Sequence, residues 1–323
     1  MTANVELLTK EQRLDEILSR EITGDRTSLK EAVQLLELLV ADHSRFFRAW
    51  MLLGRMRRRL GERELALHAF EMAEDILPLQ SAATIESAVE LRFLCQFNLA
   101  AAKLNKVLER EPQQLSALFN LGILYQQQHN WDASIATFQT ILSVEPDHFL
   151  AALKIAIAHK QSNRLEKAQS HFLELSKKYP DQPQPYIELG FLYRQQQSHR
   201  QAMEAFEHAL PHIQQPARRL TITVQVAIEL RHLGQFDAAE EKLIAVRSQQ
   251  PDHLLAIKTL ALLYKMQRRY EDAIAYYQQA LELDPKSVSV RIQLSAVWRS
   301  KQDYPRAQQQ LESALTHESD HLN

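Results

Sequence analysis

Small side chains recur at a spacing of 34 residues through most of this 323-residue chain, and that spacing limits the fold more than any other feature. The cleanest copy of the repeating unit is Leu254–Ser287. Its first half sets Ile257, Leu260, Ala261 and Tyr264 three and four apart, which predicts a helix over 254–267 with one apolar face. Arg268 and Arg269 make a turn. Ala273, Ile274, Tyr277, Ala280 and Leu281 then predict a second helix over 270–283. Asp284-Pro285 stops it, because proline lacks an N–H and disfavours helix in the residue before it. Neither helix is long enough to persist alone in water, so each hairpin must bury its face against the next.

Sliding the unit along the chain fixes the packing logic. The eighth place reads Gly54, Ala88, Gly122, Ala156, Gly190, Ala227, Ala261 and Ser295. The twentieth reads Ala66, Ala100, Ser134, Ala168, Ala202, Ala239, Ala273 and Ala307. All are small, as close approach of two helix backbones requires. The twenty-fourth place holds the large residue that fills the space between hairpins: Phe70, Leu104, Phe138, Phe172, Phe206, Leu243, Tyr277 and Leu311. A closing proline recurs as Pro78, Pro112, Pro146, Pro180, Pro251 and Pro285.

This pattern resembles the tetratricopeptide repeat family, whose period is 34 residues. The resemblance covers Phe47 to roughly the C-terminus, in eight units. The family's early aromatic survives mainly as Trp50 and Tyr186. The eleventh place departs from the aromatic at Arg57, Leu91, His159 and Leu230. The resemblance implies an all-α fold, a right-handed solenoid (superhelix) of antiparallel helix hairpins. Residues 1–46 are expected to form a degenerate capping hairpin, with Ala32, Leu36 and Leu39 in the core of its second helix over 28–41 and a poorer helix over 5–22 before it. Units 1–5 span 47–219, with a three-residue insertion in 211–219 where an altered inter-hairpin angle or a hinge is expected. Units 6–8 span 220–323. The stretch 220–233 is rich in threonine, valine and isoleucine, which favour strands. The repeat phase predicts helix there.

Charge is near balance at −2, so nothing pulls the chain toward nucleic acid or a membrane surface. No apolar run approaches the ~20 residues that span a bilayer, and the N-terminus has no signal-peptide core. A cytoplasmic protein is the expectation. Cys95 is the single cysteine, expected as a small buried residue. No cofactor and no catalytic residue is expected. His317-Glu318-Ser319-Asp320-His321 matches the zinc-protease pattern HExxH, yet it straddles a helix end and the inter-repeat turn. A turn motif is the better account, because Asp147-His148 and Asp252-His253 repeat the Asp-His pair where aspartate suits a helix N-cap.

In the resembled family the first helices line the concave face. Their fifth place reads Met51, Ile85, Phe119, Leu153, Ile187, Val224, Lys258 and Ile292, and their ninth reads Arg55, Val89, Ile123, Ile157, Phe191, Ile228, Leu262 and Ala296. These are either an apolar channel for a partner's helix or extended peptide, or packing between adjacent first helices. The twelfth place is a basic row: Arg58, Arg92, Lys160, Arg194, Arg231, Lys265 and Arg299, broken by Gln126. It is either a ladder for an acidic segment or a set of cations complementing helix C-termini. The arrangement predicts a non-enzymatic scaffold that holds a peptide or helix of a partner protein. Phe119, Ile123, Ile157, Ile187 and Phe191 are the candidate apolar contacts, and Lys160, Arg194, Arg231 and Lys265 the candidate anionic contacts.

The family's two-carboxylate clamp for chaperone tails is matched at two of five positions, with Asn120 and Lys154 present but Ile85, Val89 and Leu150 elsewhere. Chaperone-tail binding is not expected. No polar helix follows the last hairpin, so Tyr304, Leu311 and Leu315 are expected to be exposed. Self-association there, or a longer parent enzyme of sulfotransferase-like or glycosyltransferase-like type, are the alternative readings.

Overall fold

A computed structural model describes residues 10–12, 14, 15, 17 and 26–319. The described residues are helices and turns, with no strand among them. The chain divides into two compact units, Met1–Arg164 and Leu165–Asn323.

The first unit opens on α1 (Arg26–Asp42), which packs on α2 (Phe47–Leu60) and buries Ala32, Leu36 and Leu39 as the period requires. Most of the preceding helix expected over 5–22 lies outside the described residues. Hairpins follow: α2 with α3 (Arg63–Ile76), α4 (Ser81–Phe93) with α5 (Phe97–Arg110), and α6 (Leu115–Gln127) with α7 (Trp131–Val144). The unit closes on α8 (Phe149–Gln161).

The second unit begins with α9 (Leu165–Lys178) and continues with α10 (Pro183–Gln195) and α11 (His199–Ala209). Its other hairpins are α12 (Pro216–His232) with α13 (Phe236–Gln249), α14 (Leu254–Met266) with α15 (Tyr270–Leu283), and α16 (Val288–Ser300) with α17 (Tyr304–Ser319). The helices fall where the 34-residue phase places them. One start differs: α12 begins at Pro216 rather than Leu220, because proline is favoured in a first helical turn where its missing N–H costs nothing. The inserted segment is taken up by a 3-10 turn at Leu210–His212 and this extra helical turn. Ile213 is buried there, and Arg219 Nη2 donates to its carbonyl at 2.7 Å.

Each intra-repeat turn is built in the same way. One residue takes a left-handed conformation: Gly61, Cys95, His129, Asn163, Gln197, Gly234, Arg268 or Gln302. The next residue donates its N–H to the carbonyl five back, at 2.8–3.0 Å in all eight turns. This is the Schellman closure, which satisfies carbonyls left open at a helix C-terminus. Only Gly61 and Gly234 have the side chain that makes a positive φ free of cost. Cys95 is therefore exposed at a turn, which corrects the expectation of a buried thiol. The Asp-His pairs are corrected too. The N-cap is the histidine: His148 Nδ1 accepts from Ala151 N at 3.1 Å, and His253 Nδ1 from Ala256 N at 3.2 Å.

Close packing within hairpins rests on the eighth and twenty-fourth places. A Cβ on Gly54, Gly122 or Gly190 would lie 2.6, 2.7 or 2.5 Å from the ring of Phe70, Phe138 or Phe206 respectively. Those three rings are fully buried. The glycines are seats for the rings, beyond being points where backbones approach.

Gly122→Ala therefore gains about 1 kcal/mol of helix propensity and loses about 1–3 kcal/mol to overpacking, a net destabilisation in urea unfolding. Adding Phe138→Leu, which reproduces the Ala88–Leu104 pairing, makes the double variant at least as stable as Gly122→Ala alone. Additive losses from the two changes would refute the seat.

Candidate functional site

The candidate residues fall in both units. In the first, Phe119 is half-buried, with its ring edge on Phe138 at 5.5 Å and near His148 at 6.0 Å. Ile123 packs on the same cluster. Ile157 and Lys160 are half-buried on α8. In the second unit Ile187 is buried in the core. Phe191 is 37% exposed and sits edge-on to Phe206 at 5.1 Å. The Arg194 guanidinium lies 5.5 Å from the centre of Phe191 and 5.3 Å from that of Phe206. Lys265 Nζ donates to Gln293 at 3.0 Å, and its pKa is lowered by burial and then by Arg299. The structure thus brings Phe119 and Ile123 together in one unit, and Phe191 and Arg194 in the other.

The basic row has a contact that neither account of it anticipated. Arg194 Nε donates to the buried carboxylate of Glu229, and its Nη1 donates to Gln225 at 2.7 Å. His199 Nδ1 lies 2.8 Å from the other oxygen of Glu229. The first unit repeats the arrangement one for one. Arg58 Nε donates to buried Glu90, and Arg63 Nη1 donates to its second oxygen at 2.9 Å. In both, an arginine at the twelfth place and a second residue at the seventeenth, Arg63 or His199, grip a glutamate at the tenth place of the next repeat.

A signal for this was present in the sequence. The tenth place is otherwise Met56, Leu124, Ala158, Leu192, Leu263 and Val297. The seventeenth place is otherwise Phe97, Trp131, Leu165, Phe236, Tyr270 and Tyr304. Polar residues enter both places only at these two junctions.

The next arginine of the row is buried in each case. Arg92 and Arg231 are 8% and 9% exposed, and neither has a carboxylate partner among the described residues. Burial lowers the pKa of both. Around Arg231 the second unit carries a histidine pair. His199 and His232 stack at 4.4 Å with planes 2° apart. Arg231 Nη2 lies 2.9 Å from His232 Nε2, and since arginine can only donate, that nitrogen is the acceptor. His232 is therefore neutral. Burial first, then Arg231 and His199, push its pKa below the ordinary 6.5.

Elsewhere, Tyr304, Leu311 and Leu315 are exposed on α17. Of the HExxH stretch, Asp320 and His321 lie outside the described residues. Among the described residues no group of three or more His, Cys, Asp or Glu could hold a metal ion, and no helix is long and apolar enough to cross a membrane.

Removing a cation from a buried carboxylate costs about 3–5 kcal/mol. Arg194→Met should lose that much in urea unfolding, and Glu229→Leu in the same chain should restore most of it. Equal losses in the single and double variants would refute the joint. A second outcome follows from His232. Its folded pKa lies below its unfolded one, so protonation favours unfolding. Its contribution is complete above pH 6.5 and is lost as pH falls below it. His232→Asn should flatten stability against pH below 6.5, with an unaltered profile as the contrary result.

A tetratricopeptide-repeat profile matches residues 255–287, a second matches 88–147 and 119–183, and a third matches 183–210. No curated protein sequence matches the chain. Among solved structures, a tetratricopeptide repeat protein from Parabacteroides merdae is 19% identical, with a TM-score of 0.60 over 79% of this chain and 99% of that one. Yeast Tom70 is 15% identical, with a TM-score of 0.61 over 91% of this chain and 60% of its own. The Cut9–Hcn1 hetero-tetramer of the APC/C is 15% identical, with a TM-score of 0.56 over 83% of this chain and 52% of that one. The chain therefore spans little more than half the length of these last two. At such identities the likeness shows the fold, an all-α solenoid of helix hairpins. With the 34-residue phase, the ring seats and the profile matches in agreement, the chain belongs to the tetratricopeptide repeat family.

Proposed function

We propose that the protein is a non-enzymatic scaffold that holds a peptide or helix of a partner protein against its first-helix faces, with a ligand that is apolar and carries acidic residues. The observation that supports this best is the Phe191–Arg194 pair. A phenylalanine that is 37% exposed offers an apolar contact, and the guanidinium 5.5 Å from its ring centre, itself held by Glu229 and Gln225, fixes that ring in place. Aromatic and arginine side chains together are the residues that dominate binding energy at protein interfaces. Phe119 and Ile123 supply a comparable half-buried apolar patch in the first unit.

The joints decide how this reading is tested. Reversing Arg194 would strand Glu229 and destabilise the unit, so charge reversal belongs at Lys265, which among the described residues hydrogen-bonds to Gln293 and to no carboxylate. Capture of partners from the source cell, with wild type and a Phe191→Ser/Lys265→Glu variant in parallel, is the test. A partner held by wild type and lost at least tenfold by the folded variant supports the scaffold. A partner held equally by both overturns the assignment of these faces.

A further inference from the structure

The two buried joints are built alike, and the difference between them is informative. In each, the arginine that follows the glutamate by two residues is buried and lacks a carboxylate partner. In each, the Nε hydrogen of that arginine has no acceptor. In the second unit Nη2 of Arg231 is taken up by His232, and Nη1 by the Met266 sulfur at 3.4 Å. In the first unit the residue after Arg92 is Phe93, which has a ring face and no acceptor. Arg92 makes one hydrogen bond, from Nη1 to Gln127 at 3.2 Å. Among the described residues its Nε has no acceptor and Nη2 makes no hydrogen bond.

Those two donors form one edge of the guanidinium, the edge that meets a carboxylate side-on with two parallel bonds. The charge around it is also unbalanced. Arg55, Arg58 and Arg63 join Arg92, and only Glu86 and Glu90 oppose them. The pKa of Arg92 is lowered first by burial and then by Arg63. Glu90 offsets part of this without a hydrogen bond to Arg92, and a buried cation so weakly paired destabilises a fold. Phe93 is 49% exposed and carries both Arg63, at 4.0 Å, and Arg92, at 4.5 Å, against its ring. Nε is closed to solvent in this arrangement, and the half-exposed ring stacked on the guanidinium is the neighbour whose movement would open it.

We infer that Arg92, with Arg63 and Phe93 beside it, is a binding site for a carboxylate of an acidic peptide segment, the carboxylate taking the Nε–Nη2 edge and an adjacent apolar side chain resting on Phe93. None of the residues proposed above for the peptide surface takes part, so the site stands or falls separately from that reading.

The test uses the full chain and the rhodamine-labelled peptide acetyl-Leu-Glu-Glu-Leu-Glu-Glu-Leu-amide, followed by fluorescence anisotropy at low salt, with the glutamine counterpart as control. The expected result is binding of the glutamate peptide alone, with affinity about tenfold or more lower in Arg92→Gln, the loss of a charge-assisted pair. Arg92→Gln should also melt no lower than wild type, since it removes a weakly paired buried charge. Four results would overturn the site: no binding to wild type, equal binding to Arg92→Gln, equal binding of the glutamine peptide, or a clear drop in the melting temperature of Arg92→Gln. Displacement of the peptide by millimolar inorganic phosphate but not by acetate would reassign the site from carboxylate to phosphate.

Discussion

The contact between a small residue in the first helix and a large one in the second is what the rest of the fold depends on. At Gly54, Gly122 and Gly190 there is no room even for a methyl group, because a phenylalanine ring occupies that volume. Seating the ring lets the two helices of a hairpin approach, and their approach lets the Schellman turn close in so few residues. The hairpin that results has one apolar face still open, which only another hairpin can cover. Dispersion and burial in such close packing are collectively large, so the glycine seat converts a local absence of atoms into the stability of a whole repeat. Leu104 and Leu243 face alanine at the eighth place, as do the rings of Phe172 and Tyr277, so glycine is needed at three seats only.

Most of the fold was legible because a period of 34 residues averages over eight copies. A weak local signal, such as the threonine and valine of 220–233, is outweighed when seven other units agree on the phase. Three features were not legible. The left-handed turn residues include Cys95, Arg268 and Gln302, side chains that ordinarily avoid positive φ. The turn is imposed by the packing of the helices it joins, so its residue identity carries little information. The histidine caps were hidden by neighbouring aspartates that suit the same role. The start of α12 was displaced because proline marks the first turn of a helix as well as the stop after one.

The candidate site was legible in part. The apolar places were located correctly on first helices, but exposure separates Phe191 from buried Ile187, and exposure depends on neighbours that a pattern does not weigh. The basic row was read as one feature, either a ligand ladder or a set of helix-end cations. Its members differ. Arg58 and Arg194 are committed to buried glutamates, Arg92 and Arg231 are buried without one, and Lys265 is half-buried with an amide partner. The distinguishing information lay in other columns of the repeat, at the tenth and seventeenth places, where polar residues replace apolar ones at two junctions only.

Those two junctions bear on how a chain of near-copies finds its own neighbours. Hairpins that share a small eighth place and a large twenty-fourth place are almost interchangeable as docking partners, and a hairpin placed one copy out would still bury apolar surface. It would also bury Glu90 or Glu229 against an aromatic or leucine at the seventeenth place, with no cation there to meet it. A buried carboxylate that keeps only its twelfth-place cation is less well compensated, a penalty added to the slight differences among apolar faces. The glutamates thus act as address labels. They add little to the correct assembly and more to the penalty for a wrong one, with one label in each compact unit.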